Sequence, residues 1–378
     1  MQARVGICAA AVASALLAVI NPMSAHGEAA AAPPPRAAAS VRDAQIRSSY
    51  ETPTRTLSRD IGVSVALPDG HDLWLFGDTS IYTRNKAGAW LDTGFVDGST
   101  ALEGRYAPGQ VPRGAEMPTS TPTRFVPVPK DVFLPDGSGR KCTKGIANAA
   151  FSARWPIGAA VLDTNTSEVV VTYSEVCVTV DQNGNTAVRA EGWGYMLYDW
   201  RARHIALGPI DVFKPHANGA PLAPSHTFGW PVFVDGHLTL FSSSCTAQYL
   251  TCGGGRVWSV TTSTLSNPNS YHPRQLATDG TLPWQPLSIS VGKYGSELRM
   301  IETISIGGDY RILAAPTPDA SWHVVRSGTL PDCAPHHAGY CHGVEGHPEL
   351  STAADMFISY KDPNSGPGGH MVISAIPF

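Results

Sequence analysis

Arg59-Asp60-Ile61-Gly62 and Leu75-Phe76-Gly77-Asp78-Thr79 flank a stretch that reads as one hairpin. Val63–Leu67 and Leu73–Phe76 have strand character, and Pro68-Asp69-Gly70-His71 joins them. Asp-Gly between apolar runs is a strong hairpin signal. Folding about Asp69-Gly70 places position 60 opposite roughly position 79, so Asp60 and Asp78 share the open end. Directly opposed Cβ atoms of an antiparallel pair lie about 4.5–5.5 Å apart. Like charges at that range push two pKa values apart, which is how a site acquires one acid and one base.

The same plan recurs along the chain without a strict sequence repeat. Phe151-Ser152-Ala153-Arg154-Trp155-Pro156 leads into Ala159–Leu162 and Val169–Tyr173, and Phe228-Gly229-Trp230-Pro231 leads into Val232–Val234 and Leu238–Phe241. A weaker copy spans Leu287–Val291 and Leu298–Ile301, and His347-Pro348-Glu349-Leu350-Ser351 precedes Met356–Tyr360. Five hairpins with trailing strands predict an all-β fold, a five-bladed β-propeller. Paired β-sandwiches share the turn spacing and are the competing architecture. Ser49–Leu57 is expected to close the last blade, and the Pro-, Gly- and Thr-rich stretch from Asn85 to Gly145 to form loops over one face.

Composition agrees with many short strands. Of 378 residues only 15% are charged, while Gly numbers 37 and Pro 31. The formal net charge of -4 comes with no basic stripe, which argues against nucleic acid as a partner. Arg4 followed by the apolar run Val5 to Ile20 reads as a secretory signal, with an uncleaved anchor as the competing reading. The expected organisation is a signal peptide over 1–28, an Ala/Pro-rich linker over 29–45 and one domain over 46–378, exported, with no membrane span once the leader is removed. Six cysteines then remain, and an even count in an exported chain points to disulfides. Cys245–Cys252 and Cys333–Cys341 are the preferred local pairs, leaving Cys142–Cys177. Histidines 336, 337, 342 and 347 near the last pair also permit a zinc reading. Thiol oxidation and the absence of C-x-x-C spacing favour a disulfide-clipped loop, so no metal and no cofactor are expected.

In a propeller, the starts of inner strands and the ends of their neighbours meet on one face. That expectation gathers Asp60, Asp78, Arg154, Trp155, Glu175, Trp230, Glu302, His347 and Glu349 around one funnel. Aromatic rings stack on sugar faces, while carboxylates and Arg bind hydroxyls, so the set suits a glycan. Asp60 and Asp78 are the candidate catalytic pair, with Asp60 favoured as nucleophile and Asp78 as acid/base. Their competing reading is a local Asx-turn at Asp78 and a loop cap at Asp60, with a cation held between them as a third. Arg154, Trp155, Trp230, His347 and Glu349 are the candidate substrate-binding residues. Each also has an ordinary structural role open to it: packing for the tryptophans, ion pairing for Arg154 and Glu349, a hydrogen-bonded core position for His347.

At Arg59-Asp60-Ile61-Gly62, Phe76-Gly77-Asp78-Thr79, His347-Pro348-Glu349-Leu350-Ser351 and Ile358-Ser359-Tyr360, the sequence resembles a family of secreted five-bladed propellers. That family includes bacterial endo-D-arabinanases and was long catalogued as a domain of unknown function. The resemblance spans about residues 50 to 378 and implies glycoside hydrolysis, with the first-blade aspartates mapped onto Asp60 and Asp78. The arabinanase and xylosidase propellers present one acid in each of the first three blades. Here the second and third positions read Ser152-Ala153-Arg154-Trp155-Pro156 and Phe228-Gly229-Trp230-Pro231, without an acid. The expected function is cleavage of a polysaccharide, with arabinan-like furanose chains favoured, by a monomer. A non-catalytic carbohydrate-binding propeller and a cell-surface interaction protein are the alternatives.

Overall fold

The computed structural model describes residues 41–42, 44–128, 142, 149–163, 166–180, 186–213, 229–245, 252–278, 288–304, 308–330, 333 and 341–378. The leader, most of the linker, Phe228, His336 and His337 lie outside them. The described residues are all-β, with two 3-10 turns, Thr262–Thr264 and Pro268–Ser270, and no α-helix among them.

The first third of the chain runs β1 (Ala44–Gln45), β2 (Arg47–Ser48), β3 (Arg55–Arg59), β4 (Val63–Ala66), β5 (His71–Phe76), β6 (Thr79–Arg84), β7 (Trp90–Val96), β8 (Thr100–Arg105) and β9 (Arg113–Met117). Then come β10 (Ala149–Val161), β11 (Glu168–Val180), β12 (Thr186–Asp199) and β13 (His204–Phe213). The third group is β14 (Trp230–Val234), β15 (His237–Cys245), β16 (Cys252–Thr261) and β17 (His272–Gln275). The fourth is β18 (Ser288–Tyr294), β19 (Glu297–Thr303), β20 (Asp309–Ala315) and β21 (His323–Thr329), and the last is β22 (His342–His347), β23 (Asp355–Asp362) and β24 (His370–Pro377). Three of these groups are four-stranded antiparallel meanders in chain order, β10 to β13, β14 to β17 and β18 to β21. A fourth sheet has the order β1-β24-β23-β22, and a five-stranded sheet the order β2-β9-β8-β5-β4. The first strands of these five sheets neighbour one another in cyclic sequence: β4 beside β10, then β14, β18 and β22, and β22 beside β4 again.

Two expectations need correction. The strand that completes the last sheet is Ala44–Gln45, paired with β24, and not Ser49–Leu57. The described part of the Asn85–Gly145 stretch is no mere loop, since it supplies β7, β8 and β9. Its Gly and Pro content hid strands that alternate only weakly. Gly104 and Gly114 sit where β8 and β9 approach so closely that an added Cβ would lie 2.3 Å from Arg113 O and 2.5 Å from Leu102 Cδ1. Glycine is the residue for such a backbone approach.

The quoted hairpin is longer than the sequence suggested. Arg55 faces Thr83 and Arg59 faces Thr79, while Val63 faces Leu75 and Ala66 faces Asp72. One register therefore runs the whole length of two strand pairs that belong to different sheets. β4 and β5 stay in the five-stranded sheet, whereas β3 and β6 leave it and pair with β7 in a separate three-stranded sheet. The break falls at Asp60–Gly62 and Gly77–Asp78. Ile61 is bent to φ 58 there, a left-handed conformation uncommon for a β-branched residue. Leu73, Trp74, Leu75 and Phe76 are wholly buried, so β5 is packed on both faces and anchors the break. Each such side chain contributes about 1.5–3 kcal/mol.

Cys142–Cys177 and Cys333–Cys341 form disulfides, with Cα atoms 5.9 Å and 5.5 Å apart. Cys245 and Cys252 face each other in register across β15 and β16. No helix among the described residues is long and apolar enough to cross a membrane.

Candidate active site

The break in the long hairpin holds Asp60 and Asp78. Asp60 N donates to Asp78 O at 3.2 Å and Gly77 N donates back to Asp60 O at 2.5 Å. Gly77 and Asp78 thus stand together against Asp60, a two-against-one bulge one position tighter than the sequence count.

Their surroundings differ. Asp60 Oδ1 accepts from Lys361 Nζ at 2.8 Å and lies 3.4 Å from His342 Nε2. Its side chain is 41% exposed, whereas that of Lys361 is 8% exposed. The ammonium also donates to Ser58 Oγ at 2.9 Å and Arg59 O at 3.0 Å, so all three protons of a nearly buried cation are used. Burial works against a charged Asp60. The Lys361 ammonium and the contact with His342 outweigh it and hold the carboxyl well below the usual range. Asp60 is ionised throughout the physiological range.

Asp78 Oδ1 accepts from Gly98 N at 2.7 Å and from Trp155 Nε1 at 3.0 Å. Burial is the dominant influence and pushes its pKa up to about 7, aided by the charges of Asp60 and Asp97, against the two donors. Gly98 has φ 94, and a Cβ there would crowd Arg154 N at 3.3 Å. Arg124 pairs with Asp97 and donates to its carbonyl at 3.1 Å, which pins the loop that presents the Gly98 N–H. The break thus holds one carboxylate kept charged and one carboxyl mostly protonated below pH 7, the division of labour that acid/base chemistry uses.

The remaining predicted residues are placed as follows. Trp155 is at the pit and holds Asp78. Arg154 points the other way along β10 and is buried at 4% exposure. Its guanidinium binds Glu175 Oε2 at 3.2 Å and both oxygens of Asp211 at 2.8 and 3.0 Å, with Tyr173 OH donating to Asp211 at 2.7 Å. It holds carboxylates, and has no donor geometry left facing the pit. Burial, then the charge of Asp211, raise Glu175 to about 7. Trp230 is also buried, with Nε1 donating to Val291 O at 2.7 Å, so it packs between two sheets instead of offering a stacking face. Glu302 is fully buried against Arg311.

His347 and Glu349 have their hydrogen-bond partners in Ser64 and Ser359. The His-Pro-Glu-Leu-Ser segment is the turn that follows β22, whereas His342, at the start of that strand, is the residue facing Asp60. Five residues of strand separate the two histidines by about 16 Å. His347 is fully buried, bonded to Ser64 Oγ at 2.6 Å and Ser359 Oγ at 2.8 Å, with its ring 4.4 Å from that of Trp74. Glu349 accepts from Ser64 and its side chain is 3% exposed. Burial lowers His347 to about 3 and raises Glu349 to about 7, so both are neutral at pH 6.

Sequence reasoning missed Lys361, His342, Gly98 and Asp211. Only Lys361 carried a signal: a lysine continuing the apolar run Met356–Tyr360 in a buried strand demands an acid partner. Among the described residues no group of three or more His, Cys, Asp or Glu is placed to hold a metal ion.

No family model matches the chain, and no curated protein matches it in sequence. Solved structures do. A protein of Bacteroides ovatus, provisionally described as a hydrolase, superposes with a TM-score of 0.56 at 16% identity, covering 84% of this chain and 85% of its own. Levansucrase from Gluconacetobacter diazotrophicus superposes with a TM-score of 0.51 at 11% identity, covering 90% and 86%. These two likenesses establish a shared fold. A β-xylosidase/α-arabinofuranosidase from a compost metagenome is more distant, with a TM-score of 0.46 at 12% identity over 90% of this chain and 94% of its own.

Proposed function

We propose that this chain is an exported five-bladed β-propeller glycoside hydrolase, with Asp60 and Asp78 as its catalytic carboxylates and a furanose polysaccharide of the arabinan type as substrate. The cyclic succession of β4, β10, β14, β18 and β22 supports five blades around an axis, and the disulfides support export. The observation that carries the reading is the aspartate pair at the hairpin break, one member paired with Lys361 and the other raised to a pKa of about 7 by burial.

The course is that of a retaining glycosidase, whose two carboxyls work at a separation of about 5–5.5 Å. In the first step the Asp60 carboxylate attacks the anomeric carbon as the glycosidic C–O bond breaks, and the Asp78 proton passes to the departing oxygen. In the second, Asp78, now a carboxylate, takes a proton from water while the water oxygen displaces Asp60 from the same carbon. Both aspartates end as they began. Trp155 and Gly98 keep the Asp78 carboxyl aimed, and Lys361 and His342 keep Asp60 ionised. Arg154, Trp230, His347 and Glu349 have no part in this reading, since each is buried among protein partners.

The test is incubation of the protein with arabinans, galactans and mannans, with analysis of released sugars. Asp60→Asn and Asp78→Asn serve as controls. The wild type is expected to release oligosaccharides from a furanose polymer, and each substitution to abolish most of that release. Retention of the polysaccharide without cleavage would identify a carbohydrate-binding protein instead, and neither retention nor cleavage would discard the reading.

A further inference from the structure

An aromatic row leads away from the acid pair, and the mechanism does not use it. On the three-stranded sheet Ser58 faces Ser80 and Ser80 faces Phe95, so these residues share one face. Ser58 accepts from the Lys361 ammonium that holds Asp60. Adjacent strands lie about 4.8 Å apart, which puts Phe95 about 10 Å from Ser58. From the other side, Phe151 and Trp155 project from one face of β10 and cluster with Ala153, Val176 and Val178. Trp155 holds Asp78, and Phe151 lies four residues, about 13 Å, further out. The rings of Phe151 and Phe95 meet edge to face with centroids 5.4 Å apart. Cys177 on β11, bonded to Cys142, braces this projecting part of the second sheet.

Phe95 is nonetheless 44% exposed, at the outer edge of its sheet. Edge strands normally carry charge where they face water. An open ring in that place is suited to contact an occupant, and the patch, little more than two rings, is far smaller than a protein- or membrane-binding face. Inward from it the same sheet face carries Ser80 and Ser58, and β10 carries Trp155, which holds Asp78. Aromatic faces beside convergent polar groups match a sugar ring, which is apolar on its faces and polar at its rim.

We infer that Phe95, backed by Phe151, is a stacking subsite that holds the glycan one to three sugar units from the bond being cleaved, and so selects for chain length. The inference rests on the glycosidase reading above. It makes the enzyme one that grips the interior of a chain, because the row extends the pit along the surface.

The test compares kcat/KM on polysaccharide with kcat/KM on the shortest oligosaccharide cleaved. Phe95→Ala is expected to lower that ratio about three- to tenfold, Phe95→Trp to restore it, and Phe95→Leu to leave it low. An unaltered ratio in Phe95→Ala, or full recovery in Phe95→Leu, would overturn stacking. Binding is measured separately in Asp78→Asn, whose amide oxygen still accepts from Gly98 and Trp155, by affinity electrophoresis in arabinan gels. Retardation of Asp78→Asn that persists in Asp78→Asn/Phe95→Ala overturns the subsite and spares the enzyme. No retardation and no cleavage on any polysaccharide removes the glycosidase reading and the subsite with it. Thermal melting confirms that each variant is folded.

Discussion

Two clusters of the same ingredients occupy the first and last sheets. At the hairpin break Asp60 and Asp78 are both partly exposed, and a lysine from β23 at the one and burial of the other set their charges apart. Beside it, joined to the break where Ser359 Oγ donates to Gly62 O at 3.3 Å, Ser64, His347, Ser359 and Glu349 form a mutually hydrogen-bonded set. Both contain an acid with a raised pKa, yet the first also has a carboxylate 41% exposed, whereas Glu349 is 3% exposed. The lesson is that a perturbed carboxyl marks burial, and becomes a chemical group only where burial is incomplete and a second charge stands opposite.

The largest effect that can break this comparison is on turnover. Asp78→Asn is expected to lower kcat about 10²- to 10⁴-fold, the range for loss of a general acid, with Asp60→Asn at least as severe. His347→Ala is expected to leave turnover per folded molecule as it is and to cost about 2–4 kcal/mol in urea unfolding, from a cavity and two stranded hydroxyls. If His347→Ala silenced the folded enzyme instead, the second cluster would have to join the site.

Next comes the charge on Asp60. Lys361→Met removes the ammonium while keeping the buried stem. An opposite charge at this range is worth about one to three pKa units, so the acid limb of the pH–rate profile should move up by at least about one unit. An unmoved limb would mean that Asp60 is not the group titrating there.

A third prediction concerns pH itself. Asp78, Glu175, Glu302 and Glu349 all have folded pKa values raised to about 7, burial being the main cause in each. Between about pH 4, where the same groups titrate in the unfolded chain, and pH 7 the native state holds more protons than the unfolded one. Their stabilising share is therefore complete below about pH 4 and is lost as pH rises to 7. Melting should occur at a higher temperature at pH 5 than at pH 8, and Glu349→Gln should flatten that dependence while Asp78→Asn also removes activity. Activity should fall above pH 7 as Asp78 gives up its proton. A melting temperature that climbs from pH 5 to pH 8 would contradict the burial of these acids.

The smallest effect sharpens the picture of Asp78. Trp155→Phe keeps a ring beside it and removes the indole N–H. The basic limb should shift upward by less than about one unit, since one of two donors to the carboxylate is lost. No shift would assign Asp78 its orientation from Gly98 alone.

Much of the first hairpin was legible in the residues. Asp69-Gly70 fixed the turn, with Gly70 at φ 82, and the register followed to within one position at Asp60. Asp235-Gly236 and Gly295 marked two other turns in the same way, at φ 51, 78 and 64. The last hairpin was misread by one strand. His347-Pro348-Glu349 resembles the start of a strand, but β22 precedes it, hidden in His342-Gly343-Val344-Glu345-Gly346, which has neither alternation nor β-branched density. Gly343 and Gly346 are there for approach: an added Cβ would lie 3.1 Å from Ile61 Cα in one case and 2.4 Å from Tyr294 OH in the other. That displacement is why His342, at the start of β22, is the histidine beside Asp60.

The chain by itself settled what depends on near neighbours: strands where β-branched and aromatic residues gather, turns where Asp-Gly relieves the backbone, and the meeting of two acids 18 residues apart across a hairpin. Which of those acids is charged was decided by tertiary structure alone. Lys361 reaches Asp60 from 301 positions away and Trp155 reaches Asp78 from 77. Ionisation responds to every charge and every excluded water within a few ångströms, and only the closed arrangement of sheets determines who those neighbours are.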